Sequence, residues 1–359
     1  MNGAGNDTVE NYIRFSRKRR YFILAMVMAT ITISVVSIRL GSSDISYIEI
    51  IRILFTGHSG GEIGEWHVHV VRNLRLPMII AAILVGSALG IAGAAMQSIL
   101  RNPLASPFTL GLSNASAFGA AVGIMAVTGS TAAHWFTGYG GSMVTVLFAF
   151  TFSMLATAVV IILIKFTDTT PETIVLAGLA ISAIFAAALA FMQYIANDVQ
   201  LSTIVFWQFG SLDNISWNEM LALGVALFIA AAYFLFKRFD YNVMESGDET
   251  AASLGVDVSR TRIAGLAISA MVTAVAVSFA GIIGFVGLLA PHVVRRIIGS
   301  DNRYLLPGSM LVGTLVLLIA NIISQHAFGV FVPIGIITSA VGGPIFLYIL
   351  IRGHRNASC

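Results

Sequence analysis

Long apolar runs alternate with short polar segments along almost the whole chain. A helix needs about 20 mostly apolar residues to cross the hydrocarbon core of a bilayer. We predict ten membrane-spanning helices, at 21–39, 78–98, 107–127, 142–164, 173–196, 217–236, 261–280, 282–298, 304–323 and 334–351. Only Gly281 and Gly284 divide the seventh span from the eighth. Residues 196–215 are too short and too polar to span, so we predict a short helix at the membrane surface there.

The composition agrees with this pattern. Of the 359 residues, 57% are hydrophobic and 10% are charged, whereas soluble domains carry about 25% charged residues. We therefore predict an all-α integral membrane protein: a segment at 1–20, a single polytopic domain at 21–352 and a tail at 353–359. The run from Tyr21 to Ile38 is longer than the core of a cleaved signal peptide, so we interpret it as the first span. Cys359, the single cysteine, predicts no disulfide or cysteine metal site within the chain.

Lysine and arginine predict the orientation. With the N-terminus in the cytoplasm, only Arg39, Arg52, Arg72 and Arg75 of the 20 Lys and Arg residues lie outside. The opposite orientation would violate the positive-inside rule. Both termini are therefore predicted to be cytoplasmic, and "LRNPLASP" (100–107) becomes a cytoplasmic turn between spans two and three. The net charge of +3 follows from this topology, so we predict no nucleic-acid partner.

Several kinds of chemistry are missing. No span carries Asp or Glu in its middle, whereas ion-coupled carriers usually need such groups. No lysine follows a glycine, which excludes an ATP-binding G-x-x-x-x-G-K loop, so another chain must supply the energy of active transport. We find no enzyme motif and predict no cofactor. The stretch "WHVH" (66–69) is either a surface metal site or part of a solvated loop, and we favour the loop and predict no metal.

Small residues recur at four-residue spacing in spans two and three, as in Gly86/Gly90 and Gly119/Gly123. Small residues at this spacing let helix backbones approach closely. The pattern predicts a densely packed bundle.

A short helix is predicted in the polar segment between spans six and seven. Ser246 and Glu249 have the spacing of a capping box, and Gly255 suits a helix-ending position. We predict a helix at 247–254, within a segment of about 245–257. The spacing alone is equally consistent with a docking element and with an ordinary connecting helix.

Several segments together resemble the membrane permeases of type II ABC importers for iron–siderophore, haem and vitamin B12, the FecCD/BtuC-type family. The resembling segments are 72–77 (RNLRLP), 93–120 (GAAMQSILRNPLASPFTLGLSNASAFGA), 176–182 (LAGLAIS), 206–212 (FWQFGSL), 253–256 (SLGV), 284–299 (GFVGLLAPHVVRRIIG) and 332–350 (VPIGIITSAVGGPIFLYIL). The resemblance implies ten membrane helices, a homodimer in the cell membrane, two cytoplasmic ABC ATPase subunits and an extracytoplasmic substrate-binding protein.

The resemblance also implies roles for individual residues. "SLGV" resembles the helix that couples the permease to its ATPase, which points to Ala251, Ala252, Leu254 and Gly255. Arg72 and Arg75 match arginines that face carboxylates of the binding protein; independently, their spacing of three places them on one face of an α-helix. Interfacial snorkelling is the alternative. Relatives often carry a further arginine after span nine, where this chain has Gln325 and His326.

The translocation path and the gate are likewise implied by the resemblance. The path residues are Ser182, Met192, Gln193, Asn197, Ser202, Thr203 and Trp207, and the gate residues are Thr169 and Thr170. We therefore predict the permease subunit of an ATP-driven importer for a metal chelate, iron–siderophore first and then corrinoid or haem. The alternative is an ion-coupled secondary transporter.

Overall fold

The computed structural model describes residues 3–40, 45–56, 62–128, 139–166, 170–213, 215–327 and 329–355. Within these ranges the chain is helical and has no strand, which confirms the all-α prediction. The helices are α1 Gly3–Arg39, α2 Tyr47–Thr56, α3 Glu62–His69, α4 Leu76–Ile99, α5 Leu112–Thr128, α6 Tyr139–Phe166, α7 Pro171–Ile195, α8 Asp198–Phe209, α9 Trp217–Phe236, α10 Arg238–Met244, α11 Asp248–Ser253, α12 Val258–Ala280, α13 Val286–Ile298, α14 Asn302–His326 and α15 Ile334–Arg355. A π-helical segment lies at Val70–Arg75 and a 3-10 segment at Pro107–Leu110.

Each predicted span coincides with one helix, and the short helix expected within 196–215 is α8. In the described residues, seven helical stretches are long and apolar enough to cross a membrane. Helices α5, α13 and the apolar part of α15 are shorter. The 13 residues of α13 rise only about 20 Å, less than the roughly 30 Å of a hydrocarbon core.

Two predicted helix starts were wrong. The third span begins at Leu112 and not at 107, because Gly111 has a φ of +79° and ends the 3-10 turn. The eighth begins at Val286 and not at 282, because Gly281 and Phe285 have φ values of +70° and +65°. Left-handed backbone conformations of this kind cannot continue a right-handed helix.

The second span extends much further than predicted. Gly64–Ile99 forms one helical rod of 36 residues, made of α3, the π segment and α4. The polar segment between the first two predicted spans therefore contains the helices α2 and α3, and the stretch 66–69 that we interpreted as loop is part of α3.

Helix α4 lies at the centre of the bundle, against α12, α13 and α14. A Cβ at Gly90 would collide with the backbone of Ser309 in α14, and one at Gly93 with the backbone of Gly287 in α13. The close helix packing predicted from small residues is confirmed, since these contacts require that α4 has no side chain at the crossing points.

The helix ends gather at two opposite ends of the bundle. Arg19 of α1 binds Asp301, just before α14, at the end that we call the Arg101 end. At the other end of α1, the carbonyl of Ile38 accepts a hydrogen bond from Arg75; we call this the Arg72 end. The turn at 100–107 and helices α10 and α11 lie at the Arg101 end, whereas α2 and α3 lie at the Arg72 end.

Candidate functional site

Helix α11 is a short exposed turn at the Arg101 end. It ends in a Schellman motif, in which Val256 N donates to Ala251 O and Gly255 N to Ala252 O, both at 3.0 Å. Gly255 has the expected positive φ, +86°. The predicted capping box is wrong: Gly247 is the N-cap and offers no side-chain bond. The reason is that the amides of Ser246 and Gly247 still close the turn that follows α10.

The four predicted coupling residues divide into two groups. Ala252, Leu254 and Gly255 are exposed, and Leu254 is 66% exposed. Ala251 is fully buried, so its side chain supports α11 from beneath and is not presented to a partner. The helical turn directs Ala251 toward the core, so burial does not support the direct contact with an ATPase that the resemblance implied for this residue.

Asp248 is held by two arginines. Its Oδ1 lies 3.0 Å from Arg101 Nη2 in the turn at 100–107, and both its carboxylate oxygens accept from Arg262 Nη2 of α12 at 2.9 Å. Arg262 is 2% exposed and Asp248 is 39% exposed. This Asp248 clamp joins α11 to two other elements. The sequence analysis assigned Asp248 no partner, because Arg101 lies on another element and Arg262 lies 14 residues further along the chain.

A polar layer connects the helix ends beneath α11. Glu245 lies 3.6 Å from Arg295 of α13 and accepts from Ser98 of α4 at 3.3 Å. Ser98 also donates to Asn302 of α14 at 2.9 Å. The ends of α4, α13 and α14 are thus linked to the segment that carries α11.

Asp301 is the anionic centre of a second cluster in this layer. It binds Arg19 at 2.8 Å and Arg303 at 2.7 Å and accepts from Asn242 at 3.1 Å. Burial by itself raises the pKa of Asp301, but the hydrogen bonds from Arg303 and Asn242 outweigh it and hold the pKa below its usual range. Asp301 therefore carries its charge at neutral pH.

At the opposite end of the bundle, Arg72 and Arg75 do not share a face. Arg72 is exposed, whereas Arg75 is 7% exposed and donates to the carbonyls of Ile38 and Arg39 at 2.7 and 3.2 Å. Both lie in the π segment, whose wider turn rotates residues three apart away from each other. The expectation that Arg75 is displayed beside Arg72 is wrong: Arg75 binds the C-terminal end of α1, where a cation is favoured.

The histidines of "WHVH" have partners within the protein. His67 Nδ1 lies 2.7 Å from Glu49 of α2, and His69 Nδ1 lies 2.9 Å from Asn73. In the described part of the chain, no group of three His, Cys, Asp or Glu side chains could hold a metal ion. Gln325 lies in the region where the family resemblance leads us to expect an arginine, and it bonds Asn321 and Met78.

Six of the seven predicted path residues lie on α7 and α8, and Asn197 directly precedes α8. Thr203 and Trp207 border a cavity of about 400 Å³ at the Arg72 end, together with Phe206 and Asp213. Burial raises the pKa of Asp213, although a hydrogen bond from Ser211 opposes the shift.

The remaining path residues have local contacts. Ser182 accepts from Asn114 at 2.8 Å, and Met192 packs against a buried apolar cluster. Asn197 caps α8, Ser202 donates to Val199 O, and Gln193 is half-buried on α7. Of the gate residues, Thr170 caps α7, while Thr169 falls outside the described residues.

Comparison with known proteins relates these features to a family. Residues 28–352 match the FecCD transport family. The chain belongs to this family. It is 38% identical to a protein of Methanocaldococcus jannaschii described as an ABC transporter permease, over 98% of this chain and 99% of that one. It is 34% identical to the hemin transport permease HmuU of Yersinia pestis, over 82% and 86% of the two chains.

A solved structure supports the same placement. An inward-facing transporter described as of the metal-chelate ABC type superposes with a TM-score of 0.77 and 27% identity, over 93% of this chain and 99% of that chain. This FecCD protein is accordingly a multi-pass membrane permease of the ABC transporter type. Family membership does not assign roles to single residues, so the coupling, docking, path and gate residues stay predictions.

Proposed function

We propose that the chain is the permease subunit of an ATP-driven importer, which moves a metal chelate delivered by an extracytoplasmic binding protein. Two of the proteins named above are described as a hemin transport permease and as a transporter of the metal-chelate type. We rank iron–siderophore first, then corrinoid or haem. The functional unit would be a homodimer with two ABC ATPase subunits. The observation that carries the proposal is the exposed, clamped helix α11.

The charge distribution supports a cytoplasmic Arg101 end. Arg19, Arg101, Arg262, Arg295 and Arg303 all take part in its ion pairs. This clustering agrees with the positive-inside rule. In this orientation both termini are cytoplasmic, and the Arg72 end faces the binding protein.

Reconstitution of transport tests the proposal. Vesicles that contain the permease, an ATPase and a binding protein should accumulate chelate only with ATP, and should still do so after ion gradients are collapsed. Uptake by this chain alone, driven by an ion gradient, would favour a secondary transporter and reject the proposal.

The coupling surface consists of Ala252, Leu254 and Gly255. Replacing Leu254 by Asp should weaken ATPase binding, because a charge then enters an apolar contact. The leucine is mostly exposed, so the change should leave the fold intact. The matched control is Leu74→Asp, an exposed leucine at the opposite end. Equal ATPase affinity of the two variants would count against α11 as the coupling helix.

The docking surface retains Arg72 but not Arg75. An exposed arginine favours encounter with a carboxylate-bearing partner. Arg72→Glu should weaken binding-protein association, most clearly at low salt. The control is Arg52→Glu, the same charge change on α2. An unchanged salt dependence of association in Arg72→Glu would reject the docking role.

A further inference from the structure

Helix α2, at the Arg72 end, presents three faces of different chemistry. At about 100° per residue, one face is apolar and buried, a second is apolar and exposed, and a third is polar. The buried face consists of Ile50 and Ile53, the exposed apolar face of Ile48, Ile51 and Phe55, and the polar face of Glu49, Arg52 and Thr56. Ile48, Ile51 and Phe55 are 73%, 56% and 86% exposed. A helix that packs on a protein and is otherwise surrounded by water would need only the buried apolar face and the polar face.

The position of α2 explains its second face. Helix α1 exposes an apolar stripe along its length, Leu24, Met28, Ile31 and Val35, and its membrane-spanning stretch ends at Arg39. The guanidinium of Arg39 lies 4.6 Å from the ring centre of Tyr47, the first residue of α2. The exposed apolar face of α2 thus begins at the level where the apolar stripe of α1 stops.

We propose that α2 is an interfacial helix, whose Ile48–Ile51–Phe55 face lies in the boundary between lipid headgroups and acyl chains. Its 10 residues extend about 15 Å and cannot cross a bilayer. The packed face rests on α1 and the π segment, the apolar face meets lipid and the polar face meets water. Tyr47 and Arg39 at its start are of the residue types that anchor proteins at this depth.

Lipid fits this face better than a protein partner does. The exposed arc from Tyr47 through Ile51 to Ile48 carries no charge, whereas the proposed docking of a binding protein depends on Arg72. Glu49 on the polar side bonds His67 of α3. The interfacial helix would therefore fix the rod that carries Arg72 at a constant depth relative to the bilayer.

Spin-label accessibility of the full-length protein tests this proposal. In a Cys359→Ser background, single cysteines at Phe55 and Ile51 are labelled with a nitroxide in phosphatidylcholine vesicles. Thr56→Cys on the polar face is the matched control, and Met28→Cys on α1 is the lipid-facing reference. Collisions with oxygen, which concentrates in lipid, are compared with collisions with a water-soluble nickel chelate.

We expect the oxygen-to-nickel collision ratio at Phe55 and Ile51 to be within twofold of that at Met28 and several-fold above that at Thr56. A ratio at Phe55 equal to that at Thr56 would show a water-facing surface and overturn the proposal. Shielding of Phe55 from both reagents would also overturn it, because a second copy or another protein then covers the face. If Phe55→Cys fails to fold, Ile48→Cys gives the same readout.

Discussion

The Asp248 clamp predicts that α11 depends on one carboxylate. Asp248→Asn removes the negative charge but keeps the size of the side chain, and it leaves the guanidinium of Arg262 buried without its anionic partner at 2.9 Å. A helix of six residues has little stability of its own, because nucleation is unfavourable. Its order therefore rests on the clamp and on buried Ala251.

The size of the effect follows from how deeply the clamp is buried. Removing one partner of a fully buried ion pair costs about 3–5 kcal/mol, whereas an exposed pair contributes about 0–1 kcal/mol. Arg262 is 2% exposed but Asp248 is 39% exposed, so we expect an intermediate loss of about 1–3 kcal/mol, which corresponds to about 5–150-fold in an equilibrium constant.

Hydrogen–deuterium exchange measures this loss directly. The amides of Leu254, Gly255 and Val256 close the turn of α11 and should exchange faster in Asp248→Asn by the factor given above. The control is Asp240→Asn, which breaks the partly exposed Lys237–Asp240 pair at 2.7 Å and should change exchange at 254–256 by less than about twofold. Wild-type exchange at these amides in Asp248→Asn would refute the clamp.

Three further predictions are checked by thermal unfolding in detergent. Gly93→Ala should destabilise the folded protein by about 1–3 kcal/mol or more, because the new methyl group collides with α13. Gly224→Ala, whose methyl group would meet nothing within 4 Å, should stabilise the folded protein by about 0.4–1 kcal/mol. Equal effects of the two variants would contradict the close packing of α4 against α13. Arg75→Ala should lower the free energy of unfolding by about 1–3 kcal/mol, because buried carbonyls lose their hydrogen-bond donor. Arg72→Ala should lower it by less than about 0.5 kcal/mol. The reverse order would refute the burial of Arg75. Because the pKa of Asp301 is lowered in the folded protein, its carboxylate stabilises the fold above the unfolded pKa of about 3.9, and this stabilisation is lost as pH falls through the folded pKa. The difference in unfolding midpoint between wild type and Asp301→Asn should therefore shrink from pH 7 toward pH 3. A difference that stays constant with pH would contradict this role of Asp301.

Much of the fold could be predicted from periodicity and length, because hydrocarbon requires backbone groups to be satisfied within helices. A helix lies at each of the ten predicted spans, and seven helical stretches in the described residues are long and apolar enough to cross a membrane. The wrong starts at 107 and 282 occurred where apolar sequence continues through a turn. Composition cannot detect a residue such as Phe285, whose φ of +65° is imposed by its tertiary surroundings.

The candidate site was predictable only where local spacing decides the structure. Gly255 as the end of α11 is such a case. The prediction that Arg75 shares a face with Arg72 was wrong, because a spacing of three residues implies one face only in an α-helix. The π segment that contains both arginines is not recognisable from its residues. The Asp248 clamp joins residues far apart in sequence, so no local pattern could have indicated it.

The buried fraction differs among the helices of the bundle, and this difference bears on the proposed transport. The apolar window of the α3–α4 rod is 78% buried, whereas that of α7 is 17% buried. Backbone contacts at Gly90 and Gly93 hold α4 against α14 and α13, and interfaces of this kind do not deform continuously. If α11 is the coupling helix, its displacement would act through Arg101 and Arg262 on the closely packed helices around α4. We predict that the rearrangement then falls on α7, which is the less buried helix and carries three of the predicted path residues.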